Sequence, residues 1–332
     1  MDNPNCTRPI FIAGCERSGT TLVRLMLHAH PRIAIPPQTK YLRKIYKRRL
    51  LFGNLAKEAN RQKLADWFSN HFDGSTKLID LGLNGEDVAD GILGSHSLGA
   101  AAAVPWQLYS AQNQKPRWGD KRPYYIHHME ILRLLYPDAQ IIHVIRDGRD
   151  VVASLKEMPW WRKSVEQSIL NWNGAIANGM AARHSTKLDE YIEVRYEDLL
   201  AGPAGELQRL CQFLGEAYDP SMLRFQDVAR TAVPDYKMQW HSATREPLSD
   251  RSVGRWQRDL SPEEISLIEW AAGDNLSLLG YALSGAPIPA TKLQSNFKRT
   301  RKRYATANRW GAVADTMISF LYTGQLDYRR NS

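Results

Sequence analysis

The sequence predicts an α/β fold in which helices cover both faces of a mainly parallel, doubly wound sheet. Two observations support this class. Short apolar runs, which are typical of buried strands, alternate along the chain with segments of helical periodicity. The first predicted strand and helix are joined by a glycine-bounded loop rich in hydroxyl side chains. With 43% hydrophobic and 24% charged residues, the 332-residue chain has the composition of a globular protein.

The chain opens with a strand, a tight turn and a helix. Residues 9–14 form an apolar run that ends in glycine, which predicts a buried strand. Residues 20–30 place apolar side chains at helical spacing, and Pro31 marks the end of this predicted helix.

The alternation of strands and helices continues downstream. Two further strands are predicted at 139–145 and 190–195, and helices at 56–70, 126–136, 151–156, 204–214 and 261–279. In the last helix, Ser261 as N-cap and Glu264 three residues on have the pattern of a capping box, and Gly280 ends the helix. Residues 81–104 are rich in Gly and Ala and have no strong period.

The loop between the first strand and the first helix has the spacing of a phosphate-binding loop, GCERSGTT over residues 14–21. Its glycines allow the backbone to approach an anion, which the amides and the dipole of the following helix attract. Ser18, Thr20 and Thr21 add hydroxyl donors, and Arg17 adds a forked cation. The alternative, a tight turn that binds nothing, leaves these polar side chains without a purpose.

One departure from the nucleotide triphosphatase pattern is informative. Thr20 stands where those enzymes place the lysine that contacts the β- and γ-phosphates. The missing lysine argues against a kinase or an ATPase. The loop therefore predicts a phosphate-bearing ligand other than a nucleoside triphosphate.

The chain carries a net charge of +9, part of which lies in the run KRTRKR at residues 298–303. Such a surplus is compatible with nucleic acid, a membrane surface or a phosphorylated small molecule. We interpret 298–303 as a solvated, disordered segment, with contact to an anionic membrane as the alternative. The amphipathic stretch 310–322 is predicted to dock on the domain's own core, with a membrane-surface helix as the alternative.

Cysteine usage bears on metal binding and on cellular location. The three cysteines, Cys6, Cys15 and Cys211, form no CxxC pair and no Cys/His cluster, so no metal site is predicted. Their sparse, odd number fits a reducing compartment. The sequence shows no signal-peptide pattern and no apolar stretch of about 18 residues, the length that a membrane span needs. The expected location is the cytoplasm.

Residues 10–40, IFIAGCERSGTTLVRLMLHAHPRIAIPPQTK, resemble the start of sulfotransferases. The similarity is closest to the tyrosylprotein sulfotransferase branch and its bacterial relatives, which also show R-S-G-T-T-L, a helix and A-H-P. It continues at residues 120–123, 141–154, 195–199 and 254–256. The resemblance implies a P-loop, nucleotide-kinase-like three-layer fold. It also implies transfer of the sulfuryl group from 3′-phosphoadenosine-5′-phosphosulfate (PAPS) to an acceptor hydroxyl or amine, with 3′,5′-bisphosphate (PAP) as product and no metal.

Within this resemblance, the expected 5′-phosphosulfate cradle consists of Arg17, Ser18, Gly19, Thr20 and Thr21. The expected 3′-phosphate site consists of Arg146 and Ser154. Arg146 ends a predicted strand and Ser154 lies in the first turns of the next helix, so that both are able to face one anion.

Four more residues match family positions. Lys121 matches the catalytic lysine, whose positive charge stabilises the leaving phosphate. Tyr196 matches a position that contacts the nucleotide. Ser252 and Arg255 lie in the late segment expected to close over the cofactor.

Position 38 departs from the resembled branch, in which a glutamate after A-H-P acts as general base. Here the residue is Gln38, whose neutral amide cannot take a proton. Three interpretations stay open: a variant made to trap a complex, a different base, or a protein that binds the cofactor without efficient transfer. The alternative bases are His28, His30, His127, His128 and Asp120. We expect Gln38 to line the acceptor pocket beside Arg17 and Lys121, which makes all three candidate catalytic residues.

The predicted organisation is one sulfotransferase domain over residues 1–290, with 41–115 as a helical insertion on the substrate side. Residues 291–332 form a basic C-terminal extension with an amphipathic helix. The expected acceptor is a small molecule, carbohydrate, lipid or peptide, and no nucleic-acid partner is expected. Membrane contact through 298–303 and a homodimer stay open. The competing functions are a small-molecule kinase on the same fold and a non-catalytic nucleotide-binding protein.

Overall fold

A computed structural model describes residues 7–72, 76–234, 236, 246 and 248–329. Within these residues, five strands form one sheet: β1 (Ile10–Gly14), β2 (Ile33–Ala34), β3 (Arg117–Lys121), β4 (Gln140–Ile145) and β5 (Tyr191–Arg195). Their spatial order is β2-β3-β1-β4-β5, and every neighbouring pair is parallel. The predicted parallel sheet is therefore confirmed.

The helices of the described residues precede, connect and follow these strands. They are α1 (Thr20–Ala29), α2 (Leu42–Lys47), α3 (Arg49–Phe52), α4 (Glu58–Asn70), α5 (Gly85–Leu93), α6 (Leu98–Gln112), α7 (Met129–Leu135), α8 (Gly148–Lys156), α9 (Val165–Ser185), α10 (Tyr196–Ala201), α11 (Pro203–Leu214), α12 (Phe225–Ala232), α13 (Trp256–Asp259), α14 (Pro262–Leu278) and α15 (Thr291–Leu321). Short 3₁₀ turns cover Leu78–Leu81, Pro123–His127 and Pro220–Arg224.

The central strand β1 separates two apolar layers. All five of its residues are buried, and because side chains alternate along a strand, neighbours enter different clusters. Phe11 packs with residues of α6, α9 and α14, whereas Ile12 packs with residues of α1, α11 and α12. Helices therefore cover both faces of the sheet, which confirms the three-layer α/β class.

The order of the strands positions a site at one edge of the sheet. In open parallel sheets, ligands bind in the crevice beyond the carboxyl ends of the strands. The crevice lies where consecutive connections leave a central strand toward opposite sides of the sheet. Here β1 lies between β3 and β4, so the chain ends of these three strands meet. Gly14, Lys121 and Ile145 occupy those ends.

Elements with a clear apolar pattern were correctly predicted. Strands β1, β4 and β5 lie within the predicted ranges, and helices α1, α4 and α11 match theirs to within two residues. The capping box of α14 is formed: Ser261 Oγ accepts from the Glu264 amide at 3.3 Å, and Glu264 Oε2 accepts from the Ser261 amide at 2.9 Å.

Other elements escaped prediction for physical reasons. Strand β3 has the polar sequence RWGDK, and β2 has only two residues, so neither offers an apolar run. Residues 81–104 belong mostly to α5 and α6. Helix α6 is buried around most of its circumference and therefore shows no amphipathic period. The region 41–115 contains several helices, and its assignment as an insertion on the substrate side stays a prediction.

The C-terminal region differs from two expectations. The run 298–303, interpreted as disordered, is helical within α15. Met317, Phe320 and Leu321, which were expected to dock on the core, are 65%, 92% and 67% exposed. The expected disorder is wrong because the run is part of a helix, although it is exposed to solvent as expected. The expected docking of these three side chains is wrong because the helix packs on the domain through other residues, among them Phe297.

Beyond α15 the chain returns to the main domain. The Gly99 amide donates to Leu326 O at 2.9 Å, and the Tyr328 amide donates to Leu135 O at 3.0 Å. A Cβ at Gly99 would lie 2.6 Å from Leu326 O, so only glycine permits this approach. The division into 1–290 and 291–332 stays a prediction.

No helix in the described ranges combines the length and the apolar character that crossing a bilayer requires.

Candidate functional site

The loop between β1 and α1 adopts a conformation that depends on glycine. Gly19 has a φ of 95°, and a Cβ there would lie 2.3 Å from Cδ2 of Tyr196. Arg17 has a φ of 69°, in the left-handed region that non-glycine residues rarely adopt. Such strain concentrates at sites where the backbone is shaped for a ligand.

The loop presents donors that suit an anion. Gly19 occupies the N-cap of α1 without a side-chain cap, so the first amides of the helix are not satisfied by a capping side chain. Ser18 Oγ is buried and has no hydrogen-bond partner among the described residues. A buried hydroxyl without a partner is costly, and an oxyanion held by the loop would satisfy it. These features fit a bound phosphosulfate.

Two cations of the predicted cofactor site meet beside the loop. Arg17 Nε donates to Ser154 Oγ at 3.0 Å, and Arg146 Nη1 donates to Arg17 O at 3.0 Å. Burial lowers the pKa of Arg17 to about 10, and the positive charges of Arg146 and Arg255 act in the same direction. Arg17 stays protonated at neutral pH, and an anion in this place would relieve the repulsion between the cations.

The late segment around residue 252 contacts the residues of the predicted 3′-phosphate site. Tyr196 Oη and Ser252 Oγ share a hydrogen bond of 2.7 Å, and Arg146 Nη2 donates to Ser252 O. The guanidinium of Arg146 lies 4.7 Å from the centre of the Tyr196 ring. Asp150 accepts from the Gly254 amide at 2.9 Å, which ties this segment to α8.

Arg255 lines the same cleft, but its side chain is held by carboxylates. Its Nη2 donates to Glu157 at 2.5 Å and its Nε to Asp259 at 2.6 Å. These ion pairs raise the pKa of Arg255 against the opposing effect of burial.

Lys121 and Gln38 lie together at the end of β3. Lys121 Nζ donates to Gln38 Oε1 at 3.1 Å and to Thr21 Oγ1 at 3.3 Å. The lysine therefore joins the phosphate loop to position 38. Gln38 and Lys121 line the same cleft as Arg17, and the expected role of Gln38 in an acceptor pocket stays a prediction.

Asp120 supports this corner from the buried side. It accepts from Thr39 Oγ1 at 3.0 Å and from Tyr125 Oη at 2.6 Å. Burial raises the pKa of Asp120 to about 6, although the hydrogen bonds from Tyr125 and Thr39 oppose this shift. Because Thr39 is adjacent to Gln38, the carboxylate fixes the backbone that carries position 38.

None of the five alternative bases lines the cleft. Asp120 accepts hydrogen bonds from Thr39 and Tyr125 on the buried side of this corner. His28 is buried and His127 is half-buried, and burial lowers their pKa values to about 3 and about 4. His30 contacts Ala217 O at 2.8 Å, and His128 pairs with Glu130 at 3.5 Å.

The cleft has a volume of about 1030 Å³, enough for a nucleotide together with an acceptor. Its cationic lining residues, within the described part of the chain, are Arg17, Arg24, Lys40, Arg43, Lys77, Lys121, Arg122, Arg146, Arg251, Arg255 and Arg258. The carboxylates that line it there are Glu16 and Glu246. The cleft is therefore strongly electropositive.

Several lining residues were not identified from the sequence. Lys40, Arg43, Lys77 and Arg122 form a cationic wall of the cleft. They come from separate segments of the chain, around residues 40–43, 77 and 122, so no local sequence pattern marks them as a group. Burial lowers the pKa of Lys40, and the charges of Arg122 and Lys77 add to that effect.

The tryptophans near α8 have different roles. Trp160 lines the cleft and is 43% exposed. Trp172 is instead a core residue: its Nε1 donates to Arg146 O at 3.0 Å and its ring packs on Gly148. It thereby supports the backbone of Arg146.

The described residues contain no cluster of three His, Cys, Asp or Glu side chains able to hold a metal ion.

Comparisons with known proteins agree with this geometry. The profile described as "Sulfotransferase family" matches residues 9–220. A putative protein-tyrosine sulfotransferase of Caenorhabditis briggsae is 28% identical over 290 residues, which cover 85% of this chain and 92% of that protein. Protein-tyrosine sulfotransferase A of Caenorhabditis elegans is 27% identical over 68% of this chain, and the match spans 55% of its own length.

Solved structures show the same fold. The sulfotransferase domain of the Synechococcus PCC 7002 olefin synthase covers 84% of this chain and 98% of its own, with a TM-score of 0.56 and 21% identity. The sulfotransferase domain of the curacin biosynthetic pathway has a TM-score of 0.55, with 20% identity.

The chain belongs to the sulfotransferase family. The expected enzyme class and the expected phosphosulfate donor are thereby confirmed, and the kinase alternative is set aside.

Proposed function

We propose that this chain transfers the sulfuryl group of PAPS to a hydroxyl on an acceptor that also carries negative charge. The observation that carries the proposal is the convergence of Arg17, Arg146 and Lys121 at the ends of the three central strands. The predicted phosphosulfate and 3′-phosphate residues are joined directly by the Arg17–Ser154 hydrogen bond.

In this proposal the loop and Arg17 bind the 5′-phosphosulfate, while Arg146 and Ser154 bind the 3′-phosphate. The donor supplies an activated sulfuryl group. Its bond to the phosphate oxygen breaks as a new bond forms to the acceptor oxygen, which loses its proton. Lys121 lies against Thr21 of the loop and stabilises the negative charge that develops on the leaving phosphate.

Gln38 acts through position and not as a base. Its amide oxygen accepts from Lys121, which fixes the ammonium group in the cleft. The proton of the acceptor therefore passes to solvent water. Because the cleft is rich in cations, it favours the ionised form of an acceptor such as a phenol.

The acceptor class follows from the wall formed by Lys40, Arg43, Lys77 and Arg122. The centre of the Tyr124 ring lies 5.4 Å from the guanidinium carbon of Arg43 and 5.6 Å from that of Arg122. Such a wall suits an acceptor with a carboxylate, phosphate or sulfate group near its hydroxyl. The names of the relatives make a peptide tyrosine with acidic neighbours the first acceptor to test.

A radiolabelled transfer assay tests this proposal. The purified chain is given labelled PAPS and two tyrosine peptides that differ only in having glutamate or alanine beside the tyrosine. We expect a higher kcat/KM for the peptide with glutamate than for the peptide with alanine. The Arg122→Ala variant is expected to show a smaller difference between the two peptides. Equal turnover of both peptides by the unmodified chain contradicts the acceptor class. Calorimetry compares the affinities for ATP and PAP. Tighter binding of ATP than of PAP contradicts the proposal that the cleft binds the phosphosulfate donor.

We also propose that the chain acts in the cytoplasm. The free, buried thiols Cys15 and Cys211 support this location, because they suit a reducing compartment. Cell fractionation followed by immunodetection tests it, and recovery of the chain outside the cytoplasmic fraction contradicts it.

A further inference from the structure

Helix α15 docks on the domain through one stripe of side chains. Phe297 is 3% exposed, and its ring lies 5.8 Å from that of Trp270. Tyr304 is partly buried against the core, and Ile318 further along the helix is half-buried. The spacing of 297, 304 and 318 in multiples of seven keeps these positions on nearly one face of the helix.

The far end of α15 is fixed to the domain by a buried arginine. Arg49 is fully buried, and its Nη2 donates to Ser319 Oγ at 2.7 Å. Its guanidinium also lies 5.8 Å from the ring of Tyr322, just beyond the helix. The orientation of the helix around its own axis is therefore set at this end.

The face that does not dock carries two kinds of exposed residues. An α-helix has 3.6 residues per turn, so residues eighteen apart are separated by five full turns and share a face. Three exposed pairs are eighteen apart in the sequence: Arg299 with Met317, Lys302 with Phe320, and Arg303 with Leu321. One face thus has a cationic half and an apolar half, about 27 Å apart at a rise of 1.5 Å per residue.

Charge complementarity indicates the partner of this face. Thr291–Leu321 contains seven Lys and Arg residues, and Asp315 is the one acidic residue in its sequence. A second copy of the chain would bring the same net charge of +9 to the contact, so like charges disfavour a self-contact. A helix with a basic, apolar face is instead suited to lie in the plane of an anionic membrane surface.

We infer that this face of α15 binds the surface of an anionic lipid bilayer, with Arg299, Lys302 and Arg303 against the headgroups. Met317, Phe320 and Leu321 enter the boundary between headgroups and acyl chains. The inference is independent of the acceptor and of sulfuryl transfer, since no residue of this face lines the cleft.

Vesicle co-sedimentation of the full chain tests the inference. Two vesicle types are used, one of pure phosphatidylcholine and one of phosphatidylcholine mixed with the anionic lipid phosphatidylglycerol, whose negative surface attracts basic segments. We expect binding to the anionic vesicles that weakens as salt is raised, and little binding to the neutral vesicles. Lys302→Glu is expected to lower the bound-to-free ratio about fivefold or more, since one cation near the surface contributes about 1 kcal/mol.

The apolar half has its own variant and matched controls. Phe320→Ser is expected to lower the ratio about tenfold or more, because the side chain no longer enters the bilayer. Leu188→Ser removes a 97% exposed side chain elsewhere and Lys187→Glu makes the same charge change as Lys302→Glu, so both are expected to bind as the unmodified chain does.

Each outcome decides between the possible partners. Equal binding to both vesicle types, or equal losses in Lys187→Glu and Lys302→Glu, overturns the inference. Light scattering of the unmodified chain and of Phe320→Ser is measured in parallel. A dimer that Phe320→Ser converts to monomer would show that the face is a subunit contact, which also overturns it.

Discussion

The side chains of Lys121 and Gln38 form a hydrogen bond of 3.1 Å, in which the ammonium group donates to the amide oxygen. A glutamate at position 38 would form an ion pair with Lys121 and neutralise it. The amide orients the lysine and leaves its positive charge available to the reacting oxygens. The role of position 38 in this chain therefore differs from that of the glutamate in the resembled branch.

Replacing Lys121 with alanine is expected to lower kcat by about 100-fold to 1,000-fold, the usual effect of removing one group that stabilises transition-state charge. The dissociation constant of PAP is expected to change far less. Steady-state kinetics and calorimetry measure the two quantities. Lys187→Ala, at an exposed position far along the chain, is the control. An unchanged kcat in Lys121→Ala would exclude the lysine from the reaction.

Gln38→Glu is expected to introduce a pH dependence that the unmodified chain lacks. The new carboxylate beside Lys121 would ionise at a low pKa because of the adjacent positive charge. Turnover in this variant should then rise with pH through the range in which the carboxylate loses its proton. Rate profiles extended down to about pH 3 test this, since an ordinary glutamate titrates near about 4.3 and the adjacent positive charge moves the pKa below that value. If turnover in Gln38→Glu stays unchanged across these profiles, position 38 is not a base position.

Arg17→Ala is expected to weaken PAP binding about tenfold to 100-fold, the effect of losing a hydrogen bond to a charged group. PAP should stabilise the unmodified chain against unfolding, by about 2.7 kcal/mol at 100 times its dissociation constant. Thermal-shift titration measures this stabilisation, which Arg17→Ala should reduce. Arg183→Ala, whose side chain is 71% exposed, is the control. Identical titrations for both variants would remove Arg17 from the binding site.

Gly19→Ala is expected to weaken PAP binding by more than tenfold, because the new methyl group collides with the Tyr196 ring and the φ of 95° disfavours alanine. Gly85→Ala is a matched control, since a Cβ at Gly85 meets no atom within 4 Å. Calorimetry with PAP compares the two variants. Comparable affinities would show that the Gly19–Tyr196 contact does not shape the loop.

Asp120 is expected to make folding stability depend on pH. The pKa of about 6 in the folded chain exceeds the ordinary aspartate value of 3.8, so the unfolded chain releases this proton at lower pH. The contribution to stability is therefore present below about pH 4 and is lost as pH rises through 6, by about 3 kcal/mol in total. Urea unfolding at several pH values compares the unmodified chain with Asp120→Asn. If the free energy of unfolding has the same pH dependence in both proteins, the pKa of Asp120 is not raised in the folded chain.

The sequence was sufficient for the parts of the fold in which local pattern and final burial agree. Strands β1 and β4 are apolar because both of their faces are covered, and the loop from Gly14 to Thr21 keeps a recognisable spacing. Strand β3 was missed because its polar residues, Asp120 and Lys121 among them, serve the site and not the core.

The site was only partly predictable for a related reason. Lys121 was identified by resemblance, since a lone lysine before Arg-Pro has no local signal of its own. The wall of Lys40, Lys77 and Arg122 comes from three separate segments that only the folded chain brings together. The exposed face of α15 was missed because the basic and apolar stretches were considered separately.

The return of the chain after α15 has a consequence for biosynthesis. Tyr328 packs on Trp118 and Tyr136 beside β3, and Leu326 pairs with Gly99 at the start of α6. These contacts join residues that are separated by most of the length of the chain. On the ribosome, the aromatic cluster behind the catalytic corner therefore stays incomplete until residue 328 has emerged from the exit tunnel, and contacts of such long range form slowly. Until then the nascent chain exposes this surface to chaperones.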